Sequence, residues 1–125
     1  MMVNRLERGA DRLADRFRSV AVESITYIRG VTTLSAVPAV IGRTIFRTDQ
    51  GGGAMLREES RDFIVKPSDL GALGEPQERD EIREVGGDGT TRMYRVTTFD
   101  GTNPWKWTDG YHNKYRIHTK YIKDL

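Results

Sequence analysis

The stretch Ile82-Arg83-Glu84-Val85-Gly86-Gly87-Asp88-Gly89-Thr90-Thr91-Arg92-Met93-Tyr94-Arg95-Val96 decides the fold class. Two short runs of apolar and charged residues flank a cluster of glycine and aspartate, in a part of the chain where the period is two. Period-two alternation puts one set of side chains on a core and the other in water, which describes a half-buried strand. Glycine and aspartate tolerate the positive φ that a tight hairpin turn requires, so the two runs pair antiparallel. Working outward, β-branched and aromatic residues recur in short runs from residue 20 onward. The spacing predicts strands near 22–29, 38–47, 55–65, 80–85, 91–98, 104–108 and 114–122. Asp100-Gly101-Thr102-Asn103 supplies another turn, and Gly51-Gly52-Gly53 reads as a hairpin tip. Pro67 to Pro76 reads as a longer acidic loop or short helical turn. The expected fold is mainly β, a small antiparallel β-barrel or β-sandwich with long flexible loops, in one domain spanning 1–125.

Before the strands the period changes. Asn4 with Glu7 resembles a capping box, and Leu6, Ala10, Leu13, Phe17 and Val20 recur at steps of four and three. This predicts an N-terminal amphipathic α-helix over 3–20, ahead of the β unit at 21–125. Its apolar seam is narrow, with arginines 5, 8, 12 and 16 on a second stripe. Gly9 costs about 1 kcal/mol relative to alanine inside a helix, so the helix needs a surface to pack on. That surface is either its own β unit or a neighbouring subunit, with Leu6, Leu13 and Phe17 as the contact residues.

Composition removes several functions. The 125 residues include no cysteine, which excludes disulfides, thiolate metal sites and a cysteine nucleophile. The apolar run Ala36 to Ile41 contains a proline and is too short to span a bilayer, and the start of the chain is charged, so no membrane association or signal peptide is expected. The net charge of +2 conceals segregation: residues 57–88 hold five basic against ten acidic residues, while both ends are basic. A nucleic-acid-coating protein shows one dominant basic face. Opposite charges on separate segments suit patches that meet between subunits.

Catalytic constellations are missing from the sequence. Its two histidines, His112 and His118, would stand roughly 20 Å apart on one strand, too far to share a metal. There is no phosphate-binding loop, no zincin helix and no nucleophile elbow. Asp80-Glu81 is an acidic pair whose members point to opposite faces of a strand, which suits one salt-bridged and one solvated carboxylate better than acid–base work. We expect no enzyme, no metal and no cofactor.

Two segments invite a binding role. Trp105-Lys106-Trp107 puts two indoles on one face, either as core or subunit contact or as a stacking platform for single-stranded nucleic acid. Tryptophan's enrichment in cores and interface centres favours the first. In the last strand Tyr115, Ile117, Thr119 and Tyr121 alternate with Lys114, Arg116, His118 and Lys120. One face is aromatic and apolar, and the other is a basic row about 20 Å long. Basic residues on an edge strand also serve simply to block unwanted pairing. The sharper expectation is that the row meets the acidic 57–88 segment of the next subunit, or DNA.

Gly42-Arg43-Thr44-Ile45-Phe46, Ser60-Arg61-Asp62-Phe63-Ile64-Val65 with Asp69-Leu70, Gly74-Glu75-Pro76, Trp107 to Asp109 and Arg116-Ile117-His118-Thr119-Lys120-Tyr121-Ile122 together resemble the head-tail joining and head-completion (stopper) proteins of long-tailed phages, including relatives of the lambda-type joining protein. The resemblance covers roughly residues 24–122 and departs from the pattern at Arg79-Asp80, where Gly-Asp is expected. It implies a β-barrel or β-sandwich that forms a homo-oligomeric ring, hexameric or dodecameric, in the virion neck after assembly in the host cytoplasm. The ring would lie below the portal and adaptor proteins of the head, close the DNA-filled head, and receive tail proteins, with packaged DNA in its lumen. Arg61 and Asp62 join Trp105, Trp107, Lys114, Arg116, His118 and Lys120 as interface candidates. A tail-terminator or tail-tube-like component, and a nucleic-acid-binding barrel using Trp105, Trp107 and the basic row, are the alternatives.

Overall fold

The computed structural model describes residues 22–108 and 110–125, and the helix expected over 3–20 lies outside them. Seven strands form a single antiparallel sheet: β1 (Val22–Arg29), β2 (Thr32–Gly51), β3 (Ala54–Val65), β4 (Glu81–Val85), β5 (Thr91–Val96), β6 (Trp105–Trp107) and β7 (Tyr115–Asp124). A one-turn helix α1 (Pro67–Leu70) continues into a 3-10 turn at Gly71–Leu73. The sheet order is β3-β2-β1-β4-β5-β7-β6, and an additional β3–β7 pairing links six of the strands into a closed circuit of hydrogen-bonded neighbours. The short β6 hangs on the outside of that circuit, paired only with β7.

Period-two alternation sets what lies inside. Ile25, Tyr27, Val37, Phe63, Ile82, Tyr94, Val96 and Ile117 come from six strands into one buried cluster. At roughly 25 cal/mol per Å² of apolar surface removed from water, this cluster is the main stabilising contribution in a chain with no cross-links.

Six strands fall within a few residues of their expected bounds, and β2 does not. It starts at Thr32 rather than near 38, directly after a Gly30 turn at φ 58°. Two features hide its first third. Ile25 pairs with Val37 and Tyr27 with Leu34, so β2 carries one extra residue, and Ala36 takes the left-handed conformation (φ 54°) of a bulge. The bulge breaks the alternation, and Pro38 two residues later reads as a strand breaker. At the glycine tip, Gly51 pairs with Ala54 while Gly52 and Gly53 turn the chain at φ 58° and 84°. Beyond Phe46 and Glu58, β2 and β3 run on as a two-stranded arm that pairs with no third strand among the described residues.

Arg79, where the resembling pattern carries glycine, has φ 77°. Glycine reaches that region without strain and arginine does not. The departure therefore has a physical cost, and Arg79 holds its conformation through a backbone bond from its N–H to the Val96 carbonyl at 2.9 Å.

Candidate interaction surfaces

Much of the charge that looked available for partners is spent inside the chain, on three buried carboxylates. Asp80 sits at one end of the core. Arg29 grips it with Nε at 2.9 Å and Nη2 at 2.8 Å, the Tyr27 hydroxyl donates to it, and the Gln77 amide adds a bond at 3.0 Å. The same guanidinium donates to the carbonyls of Leu73 and Glu75 at 2.7 and 2.8 Å. One arginine thereby ties the 71–80 loop to β1. Burial and the bond to Asp80 push the Tyr27 hydroxyl far above its ordinary range. Glu81, by contrast, is half-buried and paired with Arg83, so the two adjacent acids do diverge into separate ion pairs.

Glu84 stands at the other end. Arg61 meets it with two parallel bonds, Nε at 3.0 Å and Nη2 at 2.7 Å, and lies over the rings of Phe63 and Tyr94 at 5.7 and 5.4 Å. Glu23 shares a hydrogen bond with Glu84; that bond, with burial and the neighbouring negative charge, raises the Glu23 carboxyl to about 7. Beside this end opens a groove of about 530 Å³ lined by Ile41, Gly42, Arg43, Glu59, Arg61, Tyr94 and Tyr121.

Asp62, wholly buried, lies on the outward face between β2, β3 and β7. It accepts from Ser60 Oγ at 2.6 Å, Arg116 Nε at 2.7 Å, His118 Nδ1 at 2.9 Å and the Thr44 hydroxyl. A carboxylate can only accept, so His118 carries its proton on Nδ1. Burial alone would raise this carboxyl, but the bonds from His118, Ser60, Thr44 and Arg116 together outweigh it and hold it at about 2. Phe46 covers the site, edge-on to His118 at 5.1 Å and stacked on Phe99 at 5.0 Å. Gly42 leaves room beneath it: a Cβ there would sit 3.0 Å from Arg116 Nη2, so the guanidinium would have to shift slightly.

The basic row of the last strand is thus not a row of equivalents. Arg116 is half-buried and committed to Asp62, His118 is buried, Lys114 is half-buried, and Lys120 is exposed. The acidic 57–88 segment is similarly divided, with Asp62, Asp80 and Glu84 turned inward. The register responsible pairs Asp62 with His118 across 56 residues of sequence. Nothing local encodes it, so periodicity found the faces and missed the ion pairs.

Trp105 and Trp107 are half-buried against the core, edge-on to each other at 5.0 Å. Tyr115 contacts both, at 4.7 and 5.0 Å, and the exposed His112 stacks on Trp107 at 4.9 Å. The indoles face inward with Lys106 outward, as alternation requires. Leu6, Leu13 and Phe17 lie outside the described residues. On the arm, Arg47 stands directly opposite Arg57 and Leu56 is exposed, as is Ile45 at its base.

Among the described residues no His, Cys, Asp or Glu group is arranged to hold a metal ion, and no helix is long and apolar enough to cross a membrane. Every buried side-chain nitrogen or oxygen described has a hydrogen-bond partner. The carboxylates are saturated by their own chain, which is the chemistry of structural ion pairs. A family model described as phage head-tail joining protein matches residues 3–125. A search among curated proteins finds no match.

Proposed function

This chain belongs to the phage head-tail joining proteins, structural components of the virion neck, and from that premise we propose that it forms a homo-oligomeric ring connecting the portal and adaptor of the head to the tail and closing the DNA-filled head. The family match over nearly the whole chain carries this reading. Its description is also the reason for preferring a joining piece to a tail-terminator or tail-tube-like component.

The closed circuit of strand pairings is read here as a small barrel, the repeating unit of the ring. A ring needs a heterologous contact, in which one patch meets a different patch on the next copy. The arm formed by the ends of β2 and β3 supplies a protruding element with exposed Leu56 and, at its base, Ile45. The groove beside Arg61 and Tyr121 supplies a recess of a size to receive side chains. We assign the apolar seam of Leu6, Leu13 and Phe17 to a neighbouring subunit, and Trp105 and Trp107 to the support of an edge strand close to a partner. Asp62, Arg116 and His118 then act on assembly indirectly, by holding β2, β3 and β7 together.

Electron microscopy of particles made without this chain tests the proposal. The expected result is DNA-filled heads and separate, complete tails, with joined particles restored when the purified chain is added. Tails attached in its absence would overturn the joining role.

A further inference from the structure

The outward face of β5, β7 and β6 holds four cations that no described residue neutralises. Arg95 on β5 stands directly opposite Lys120 on β7, Lys106 on β6 stands opposite Arg116, and Lys123 pairs in register with Met93. Arg95, Lys106, Lys120 and Lys123 are all exposed. Like charges directly opposite one another weaken a sheet, so the arrangement works against the isolated fold. The acids close enough to relieve it are already engaged. Asp62 is taken by Arg116 and His118, Glu81, which neighbours Arg95 in register, is taken by Arg83, and Asp124 lies 3.9 Å from Arg92 Nε and accepts from the Tyr121 hydroxyl at 2.7 Å. Along β7 the patch runs from the level of Lys106 to Lys123, roughly 23 Å at strand spacing.

We infer that this face binds the phosphate backbone of double-stranded DNA. The inference rests on the joining role, which brings the chain to a DNA-filled head. Two features favour phosphate over an acidic protein surface. Lysine is depleted at the centres of protein interfaces, which are built around buried aromatic anchors. Here the neighbouring rings are occupied: Tyr94 and Tyr121 meet edge-on at 5.9 Å on the opposite face, Trp105 and Trp107 pack on the core, and Phe46 and Phe99, beside His118, stack on each other. A phosphate backbone asks for nothing but positioned charge, and gains its affinity from released counterions. The set differs from the basic row that the sequence suggests, because Lys114, Arg116 and His118 drop out and Arg95, Lys106 and Lys123 enter.

Fluorescence anisotropy of the full chain with a labelled duplex, titrated from about 50 to 200 mM salt, reads this directly. For four cations the log affinity is expected to fall with log salt at a slope of about −3.6, and each single change to glutamine should reduce that magnitude by about 0.9. The combined Arg95→Gln, Lys106→Gln, Lys120→Gln, Lys123→Gln variant should lose nearly all binding with its melting temperature unchanged or higher, since the opposed charges are gone. Lys66→Gln, exposed beside α1, should leave the slope as it is. A combined variant that keeps the wild-type slope overturns the inference. So does a wild-type chain that ignores DNA while the combined variant fails to self-associate, which would make the face a protein contact. Loss of DNA binding with heads and tails still joined by the variant upholds the inference and leaves the joining role standing; tails attached without any of this chain would remove the joining role, whatever the duplex shows.

Discussion

Asp62 has no exposure to water and four donors around it, so its ionised form is built into the fold. Replacing it with alanine leaves Arg116 and His118 facing each other without an anion, a loss of about 3–5 kcal/mol that denaturant unfolding would register. Charge reversal at Arg116 would place a second carboxylate against the first, and is expected to unfold the chain before it says anything about assembly. Acid acts through the same group. Its carboxyl is held at about 2, below the ordinary value of 3.8. The stability it contributes is complete above pH 4 and is lost as pH falls toward 2, a swing of about 2 kcal/mol. Glu23 works with the opposite sign. Its carboxyl is raised from 4.5 to about 7, so the folded form binds its proton more tightly, and stability from this group declines as pH rises through that window. Melting temperatures measured from pH 4.5 to 8 should fall for the wild type and fall less for Glu23→Gln; equal slopes would remove the Glu23–Glu84 contact from the account. At Arg79, φ 77° makes glycine the better residue, and Arg79→Gly is expected to stabilise by about 1 kcal/mol, partly offset by the freer unfolded chain.

Among the elements, the β2–β3 arm depends most on its turn. Gly52 and Gly53 both sit at positive φ, so an Asn-Gly replacement should preserve the melting temperature. A Val-Val replacement should cost about 1–2 kcal/mol per residue in the arm, seen as faster amide exchange at 47–56. Turns of this kind were legible because glycine, asparagine and aspartate announce positive φ. So was the inward face of β7 at Tyr115, Ile117 and Thr119, whereas β4 buries Glu84 and exposes Val85, against the polarity pattern. The first third of β2 was not, because the bulge at Ala36 shifts the alternation by one residue and Pro38 imitates a strand end. The ion pairs were not legible either. Arg29 with Asp80, Arg61 with Glu84, and Arg116 with Asp62 each join residues at least 23 positions apart, through registers that only the finished sheet defines. Charge segregation along the chain was visible, but not that three of its acids, Asp62, Asp80 and Glu84, turn inward.

For the molecule as a whole, the β3–β7 pairing closes the circuit by joining Arg61–Val65 to Tyr115–Thr119. Asp62 and His118 lie within that seam, which places the buried ion pairs where the sheet would otherwise have two open edges. The seam of Leu6, Leu13 and Phe17 can be assigned by truncation. A chain lacking residues 1–19 should keep its cooperative melting and lose self-association, read by sedimentation; loss of the melt would put those residues in the chain's own core. The ring itself is the central claim, and averaged electron micrographs of the neck in joined particles address it most directly. A closed ring of copies of this 14.2 kDa chain is the expected density between the head and the tail. A single copy there, or none, would contradict it.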